Sequence, residues 1–316
     1  MLIVFIKVIT IFAMTGVGYA ANKFKILPDS SATPLTSLLI NISTPCLILN
    51  SMGGTHLTAG TLRQTLEVLI VSSCVMFLTA LFSIPIVKLL RWKPLEDQGC
   101  IMAVMTSINT GFLGFPVAKA VFGNKIFYLF VIQNIVLNFY MYSGLIIQLN
   151  YGQKTRISAK TMLRSMCTMP MFATLAGCVI LFSGVRLPDP VMTFLSTMGD
   201  MTIPLSMVLV GVLLGRSHLA KLITNKRLVA VCLIADLFMP AVSFPLVNWL
   251  PISAAAKLTC IYAEAFPCAV ITAAVAEQQH KNARLLSEGI ALSTFFSLGT
   301  LPVVTAVLIH IYGGLI

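Results

Sequence analysis

Thr106-Ser107-Ile108-Asn109-Thr110-Gly111-Phe112-Leu113-Gly114-Phe115-Pro116 is the stretch on which the reading of this chain turns. It lies inside an apolar segment of membrane-spanning length, yet Asn109, Thr110, Gly111, Gly114 and Pro116 are residues that interrupt a helix. Proline lacks a backbone donor and clashes with the turn before it, and glycine lets the backbone leave helical geometry. In lipid, freed backbone groups are tolerated only where they face protein or a water-filled cavity. The segment therefore reads as a broken helix lining a site. Taken alone, a proline kink at a helix contact also accounts for it; a second segment of the same kind favours the break.

Around that stretch the chain is 58% hydrophobic and 10% charged, with a mean hydropathy of +0.95. Soluble domains carry roughly 25% charged residues, so this is an integral membrane protein whose surroundings are a lipid bilayer. Its 316 residues leave room for about ten helices and no sizeable soluble domain. A net charge of +11 in a soluble chain would point to nucleic acid. Here the basic residues sit between apolar runs, where topology needs them, and no nucleic-acid partner is expected. Eight cysteines without a CxxC pair, and four histidines without ligand spacing, argue against a disulfide framework, a metal site or a cofactor. No adjacent nucleophile and base and no phosphate loop are visible, so an enzyme is not expected.

Apolar runs lie at about residues 3–22, 32–53, 65–90, 97–122, 125–149, 168–185, 190–215, 227–249, 252–277 and 284–313. The first contains Lys7 and reads as a retained helix despite Gly18-Tyr19-Ala20, which resembles a signal-peptidase site. Connections after odd-numbered runs hold fifteen Lys and Arg residues and the others five. This bias places the odd connections in the cytoplasm and both termini on the non-cytoplasmic side. The basic connection Tyr151 to Ser165 divides the chain into a first five-helix unit, 1–150, and a second, 151–316.

The units echo each other. Asn41-Ile42-Ser43-Thr44-Pro45 in the second run parallels Asp200-Met201-Thr202-Ile203-Pro204 in the seventh, and Phe115-Pro116 in the fourth parallels Phe266-Pro267 in the ninth. The prolines are offset by 159 and 151 residues. Five helices per unit is an odd number, so the copies run in opposite directions through the membrane. The expected fold is an all-α membrane protein of ten transmembrane helices in two inverted repeats, with the fourth and ninth broken at Pro116 and Pro267 where they cross. Matched broken helices of this kind mark a transporter's binding site.

Half-helix N-termini at such a crossing favour an anion, with Asn109 and Thr110 as added donors or as caps of the broken end. Asn134 and Asn138, beside Gln133, share a face of the fifth run with Tyr142, as cavity lining or as helix contact. Asp200, Asp236 and Glu264 are placed deep, where a carboxyl needs a proton, a cation or a partner; a proton leads, and sodium stays open for Asp200. Glu67 and Glu288 lie near run ends.

The run Asn109-Thr110-Gly111-Phe112-Leu113-Gly114-Phe115-Pro116 with Phe122-Gly123, the segment Pro45-Cys46-Leu47-Ile48 and the ten-helix plan resemble the auxin efflux carrier family, especially its short bacterial members. The resemblance implies a scaffold of spans 1, 2, 6 and 7 and a moving transport domain of spans 3–5 and 8–10, with Pro116 and Pro267 at the crossing. It implies a homodimeric secondary carrier of small organic anions, such as auxin-like acids or malonate, in the inner (plasma) membrane, working by alternating access. A sodium- or proton-coupled carrier of the bile-acid-transporter type is the alternative.

Overall fold

Lipid offers the backbone no hydrogen-bond partner, so an apolar chain of this length closes its own bonds in helices. The computed structural model describes residues 2–55, 58–152, 168–217 and 219–313. Among them the chain forms no named strand, and its β-type pairing is an isolated antiparallel bridge between Ile108 and Cys268.

The first half runs through α1 (Leu2–Lys23), α2 (Ala32–Leu38), α3 (Thr44–Gly53), α4 (Ala59–Leu89), α5 (Gln98–Thr106), α6 (Phe115–Phe122), α7 (Asn124–Met141) and α8 (Gly144–Leu149). The second runs through α9 (Met169–Ser183), α10 (Asp189–Asp200), α11 (Thr202–Arg216), α12 (Leu219–Leu222), α13 (Lys226–Leu233), α14 (Met239–Asn248), α15 (Ala254–Ala263), α16 (Ile271–Gln278) and α17 (Ala283–Tyr312). Helix occupies each of the ten apolar runs. Among the described residues, six stretches are long and apolar enough to cross a membrane: Asp29–Gly53, Ala59–Leu89, Ile126–Leu149, Asp189–Arg216, Lys226–Asn248 and Ala283–Tyr312. Thr110–Phe122, Met169–Ser183 and Ala254–Ala263 are shorter apolar helices. Two of these are short because the fourth and ninth runs are broken. The basic connection from Gln153 to Cys167, with Lys154, Arg156, Lys160 and Arg164, lies outside the described residues, as do His56, His218 and the side chain of Lys7.

Wide π turns at Leu39–Ser43, Thr110–Gly114 and Ile234–Phe238 interrupt the helices. Their cause can be read from the chain. Each is followed two residues later by a proline, Pro45, Pro116 or Pro240, whose ring would clash with the carbonyl four residues back. That carbonyl belongs to Asn41, Phe112 or Asp236, inside the wide turn. Pro204 stands in the same relation to Asp200, where α10 gives way to α11.

Packing is reciprocal between the halves. α1 lies along α11, and α9 lies along α3, so the first run packs on the seventh as the sixth packs on the second. Close approach is built in at the first contact: a Cβ on Gly211 would collide with the Thr15 carbonyl oxygen, and one on Gly18 with that of Val208. Ser43 Oγ and Thr202 Oγ1, 159 residues apart, share a buried hydrogen bond of 2.5 Å. Behind the broken segments lies an aromatic cluster. Tyr262 meets Phe266 at 5.0 Å, Phe122 at 5.4 Å and Phe130 at 6.1 Å, all edge to face, the arrangement that ring quadrupoles favour.

Candidate functional site

A broken helix leaves carbonyls open on one side of the break and N–H groups open on the other. Here the two broken runs satisfy each other. α5 ends at Thr106, and the Ser107 carbonyl accepts from Ala269 N–H at 2.6 Å, while Asn109 N–H donates to the Pro267 carbonyl at 2.8 Å. These bonds flank Ile108 and Cys268 and form a short antiparallel crossing of extended chain. Thr272 Oγ1 adds a bond to Ser107 Oγ at 2.9 Å. Pro267 fits this geometry because it offers only its carbonyl, whereas Pro116 lies inside the helix that begins at Thr110, where the π turn Thr110–Gly114 takes up its missing donor. The break therefore lies at Ser107–Asn109, ahead of Pro116, where the sequence reading set it.

After the crossing, the chain re-enters helix at Thr110, capped by Asn109 Oδ1 accepting from Phe112 N–H at 3.1 Å. Against this end lies a cavity of about 110 Å³. Asn109 and Gly111 line it from the broken run, Asn134, Asn138 and Tyr142 from the fifth, and Ala269 from the ninth. Thr44 and Thr168 face it from α3 and from just before α9. Among the described residues no Lys, Arg, His, Asp or Glu lines it. The polar stripe of α7 is thus brought to the crossing and fastened there. Asn134 Nδ2 donates to Thr110 Oγ1 at 2.9 Å, and Asn138 Nδ2 donates to Asn134 Oδ1 at 2.8 Å. A Cβ at Gly111 would meet nothing within 4 Å, whereas one at Gly114 would stand 3.2 Å from the Phe266 ring. Thr110, Gly114, Pro116 and Pro267 therefore support the crossing from behind and do not line the cavity.

The acidic residues separate. Asp200, expected to be deep and without a counter-ion, has a side chain 61% exposed and pairs with Lys119 Nζ of α6 at 2.8 Å. Asp236 is fully buried in its π turn, where Oδ1 accepts from Ser293 Oγ at 2.7 Å and Oδ2 has no partner. Ser293 Oγ in turn accepts from Cys268 N–H at 3.1 Å, which ties Asp236 to the crossing. Glu264 is 2% exposed at the end of α15, and neither it nor Asp236 takes part in an ion pair among the described residues. Glu67, placed near a span end, bonds to Arg63 and accepts from Ser253 Oγ at the start of α15. No three of His, Cys, Asp and Glu gather as metal ligands among the described residues.

Ser293, Lys119 and Thr168 were not singled out by the sequence. A serine in a long apolar helix carries no signal of its own, and Lys119 reads as one more basic residue near a run end.

Compared with known proteins, residues 3–305 match the family described as membrane transport protein. An uncharacterized transporter of Methanothermobacter thermautotrophicus is 25% identical over 313 residues, covering 95% of this chain and 97% of the relative. Another, of Methanocaldococcus jannaschii, is 24% identical over 300 residues, covering 92% and 94%.

Proposed function

This chain belongs to the membrane transport protein family of auxin efflux carriers, and on that premise we propose that it is a secondary carrier of small organic anions working by alternating access. The observation that carries the reading is the crossing of Ser107–Asn109 with Pro267–Ala269, set against a cavity lined by the amides of Asn109, Asn134 and Asn138 and, among the described residues, by no charged side chain. An anion there is met by the positive end of the helix starting at Thr110 and by neutral donors. Binding without a fixed cation keeps release easy, which a carrier needs.

The reciprocal packing of α1 on α11 and α9 on α3, and the Ser43–Thr202 contact, support two inverted five-helix repeats. The cavity draws lining from the second and sixth runs on one side and the fourth, fifth and ninth on the other. That division matches a scaffold of spans 1, 2, 6 and 7 facing a transport domain of the remaining six. The carrier sits in the inner (plasma) membrane with both termini on the non-cytoplasmic side, and pairs through its scaffold as a homodimer. Asn109, Gly111 and Asn134 contact the anion; Thr110, Gly114, Pro116 and Pro267 hold them in place.

The test is binding and uptake of radiolabelled carboxylates, malonate and indole-3-acetate among them, by purified protein in detergent and in liposomes. A bound carboxylate raises the melting temperature, and Asn134→Ala lowers its affinity at least about tenfold, the loss of one charge-assisted hydrogen bond. Equal affinity in parent and variant refutes the site.

The buried, unpaired carboxyls of Asp236 and Glu264 support a second reading, cation coupling as in the bile-acid-type carriers. Stabilisation of the detergent-solubilised protein by sodium chloride over potassium chloride favours sodium.

A further inference from the structure

The chain of bonds Cys268 N–H to Ser293 Oγ to Asp236 Oδ1 connects the crossing to a carboxyl that neither faces the cavity nor pairs with a base. Asp236 lies in the π turn Ile234–Phe238, four residues before Pro240, and its Oδ2 is buried with no hydrogen-bond partner. An ionisable side chain with a fully buried, unpartnered oxygen is a vacancy for a ligand that needs almost no room. A metal ion needs several oxygens around it, and Oδ1 has only Ser293 beside it, so the ligand that fits is a proton.

We infer that Asp236 takes up one proton with each anion, making this protein a proton–anion symporter in which Ser293 links the carboxyl to the crossing. The inference rests on the carrier reading above and adds its coupling ion, the residue that binds it and the direction of coupling. Ser293 Oγ accepts from Cys268 N–H and donates to Asp236 Oδ1, so it ties the carboxyl to the crossing. The proton goes to Oδ2, the oxygen without a partner. Ser293 then keeps its bond to Oδ1, now the carbonyl oxygen of a neutral acid, and the charge at the end of the link is gone. The negative charge on Asp236 sits two hydrogen bonds from Cys268, next to Ala269 of the cavity wall, and opposes an anion held there. Removing a unit charge at about 10 Å in an effective dielectric of about 20 strengthens anion binding about tenfold. Linkage makes this reciprocal: the bound anion strengthens proton binding by the same factor. Anion and proton therefore bind together and cross together.

Among the described residues the other buried carboxyl without an ion pair is Glu264, and unlike Asp236 it is not tied to the crossing through Ser293. The titratable groups facing Asp236 are the thiols of Cys232, on its own span, and Cys268. Packed against the π turn, α14 carries no ionisable side chain and α5 only the Cys100 thiol. α17 presents Ser293, while its Arg284 and Glu288 pair with each other at its start. On α13, Lys226 and Arg227 are exposed.

Two measurements test the inference. The first needs no substrate: infrared spectra of the detergent-solubilised protein at neutral pH. The parent is expected to show the carbonyl stretch of a protonated carboxyl that disappears in D236N and moves in frequency in S293A, which loses the hydrogen-bond partner. A spectrum in which neither substitution changes a protonated-carboxyl band overturns the proposal. S293A keeps this readout open should D236N not fold. The second uses liposomes enclosing a pH-sensitive dye, given an inward gradient of malonate or, separately, of indole-3-acetate, with protein-free liposomes to subtract leak. Uptake with internal acidification is expected in the parent and in E288Q; in D236N the acidification is lost, together with the roughly tenfold change of anion affinity with pH. Uptake without acidification, or acidification kept in D236N, overturns the symport and leaves the carrier reading standing. Failure of the parent to carry or bind any carboxylate sinks the carrier reading itself, and the symport with it, whatever the infrared spectra show.

Discussion

Asn109 does two things with two different atoms, and they can be pulled apart. Its side-chain oxygen caps the helix that begins at Thr110, and its backbone N–H holds Pro267 across the crossing. Asn109→Asp keeps a capping oxygen but adds a negative charge to the cavity. Melting temperature is expected to stay close to the parent's while carboxylate affinity collapses. Asn109→Ala does the reverse in part, removing the cap at a cost of about 1 kcal/mol, which thermal unfolding in detergent reads directly. Lys119 and Asp200 give a contrasting case. Their pair joins α6 to the end of α10, yet Asp200 is 61% exposed, so screening limits its worth to about 1 kcal/mol or less. Lys119→Ala is expected to leave the melting temperature almost unchanged and to alter transport rate, because the bond joins the proposed transport domain to the proposed scaffold. Restoration of the rate by the exchanged pair K119D/D200K checks this. The asparagines were legible in the sequence because a polar stripe in an apolar run must face something other than lipid. The state of Asp200 was not, since exposure depends on where a neighbouring helix ends.

At the scale of elements, the positions of the breaks follow from two rules acting together. Proline forbids the ordinary bond to the carbonyl four residues back, and ahead of Pro45, Pro116 and Pro240 the chain answers with a wide turn, at Leu39–Ser43, Thr110–Gly114 and Ile234–Phe238, while Pro85, Pro245 and Pro302 sit in their helices without one. The full interruption lies elsewhere, at Ser107–Asn109 and before Ile271, where the two chains can pair. Pro116→Ala is therefore expected to retain the crossing while letting the π turn Thr110–Gly114 tighten, which shifts Gly111 of the cavity wall and lowers uptake with little change in melting temperature; melting and uptake assays check both. The α1–α11 contact is less forgiving. Gly211→Ala forces a methyl group into the Thr15 carbonyl and is expected to cost about 1–3 kcal/mol, seen as a lowered melting temperature without change in ligand affinity. Sequence patterning made the helices visible and marked the two that break. It set the ninth run's break correctly at Pro267 but misplaced the fourth run's, because Pro116 is the conspicuous residue there while Ser107, where the backbone opens, looks like an ordinary small member of an apolar run. Pairing between distant segments leaves no local trace.

For the molecule as a whole, the cavity between two groups of helices predicts relative motion. Ile40 of the second run and Phe112 of the fourth line it from opposite groups. A cysteine at each, joined by a short thiol-reactive bridge, is expected to stop uptake, with activity returning once the bridge is cleaved; uptake that continues through the cross-link argues against the motion. The crossing also bears on how the protein is made. In the folded protein the Ser107 carbonyl and the Asn109 N–H are answered by Ala269 and Pro267, so a chain that ends before Pro267 lacks both of these partners. Nascent chains stopped short of Pro267 should be cleared by membrane proteases much faster than chains that extend past it, a difference that pulse-chase labelling would expose.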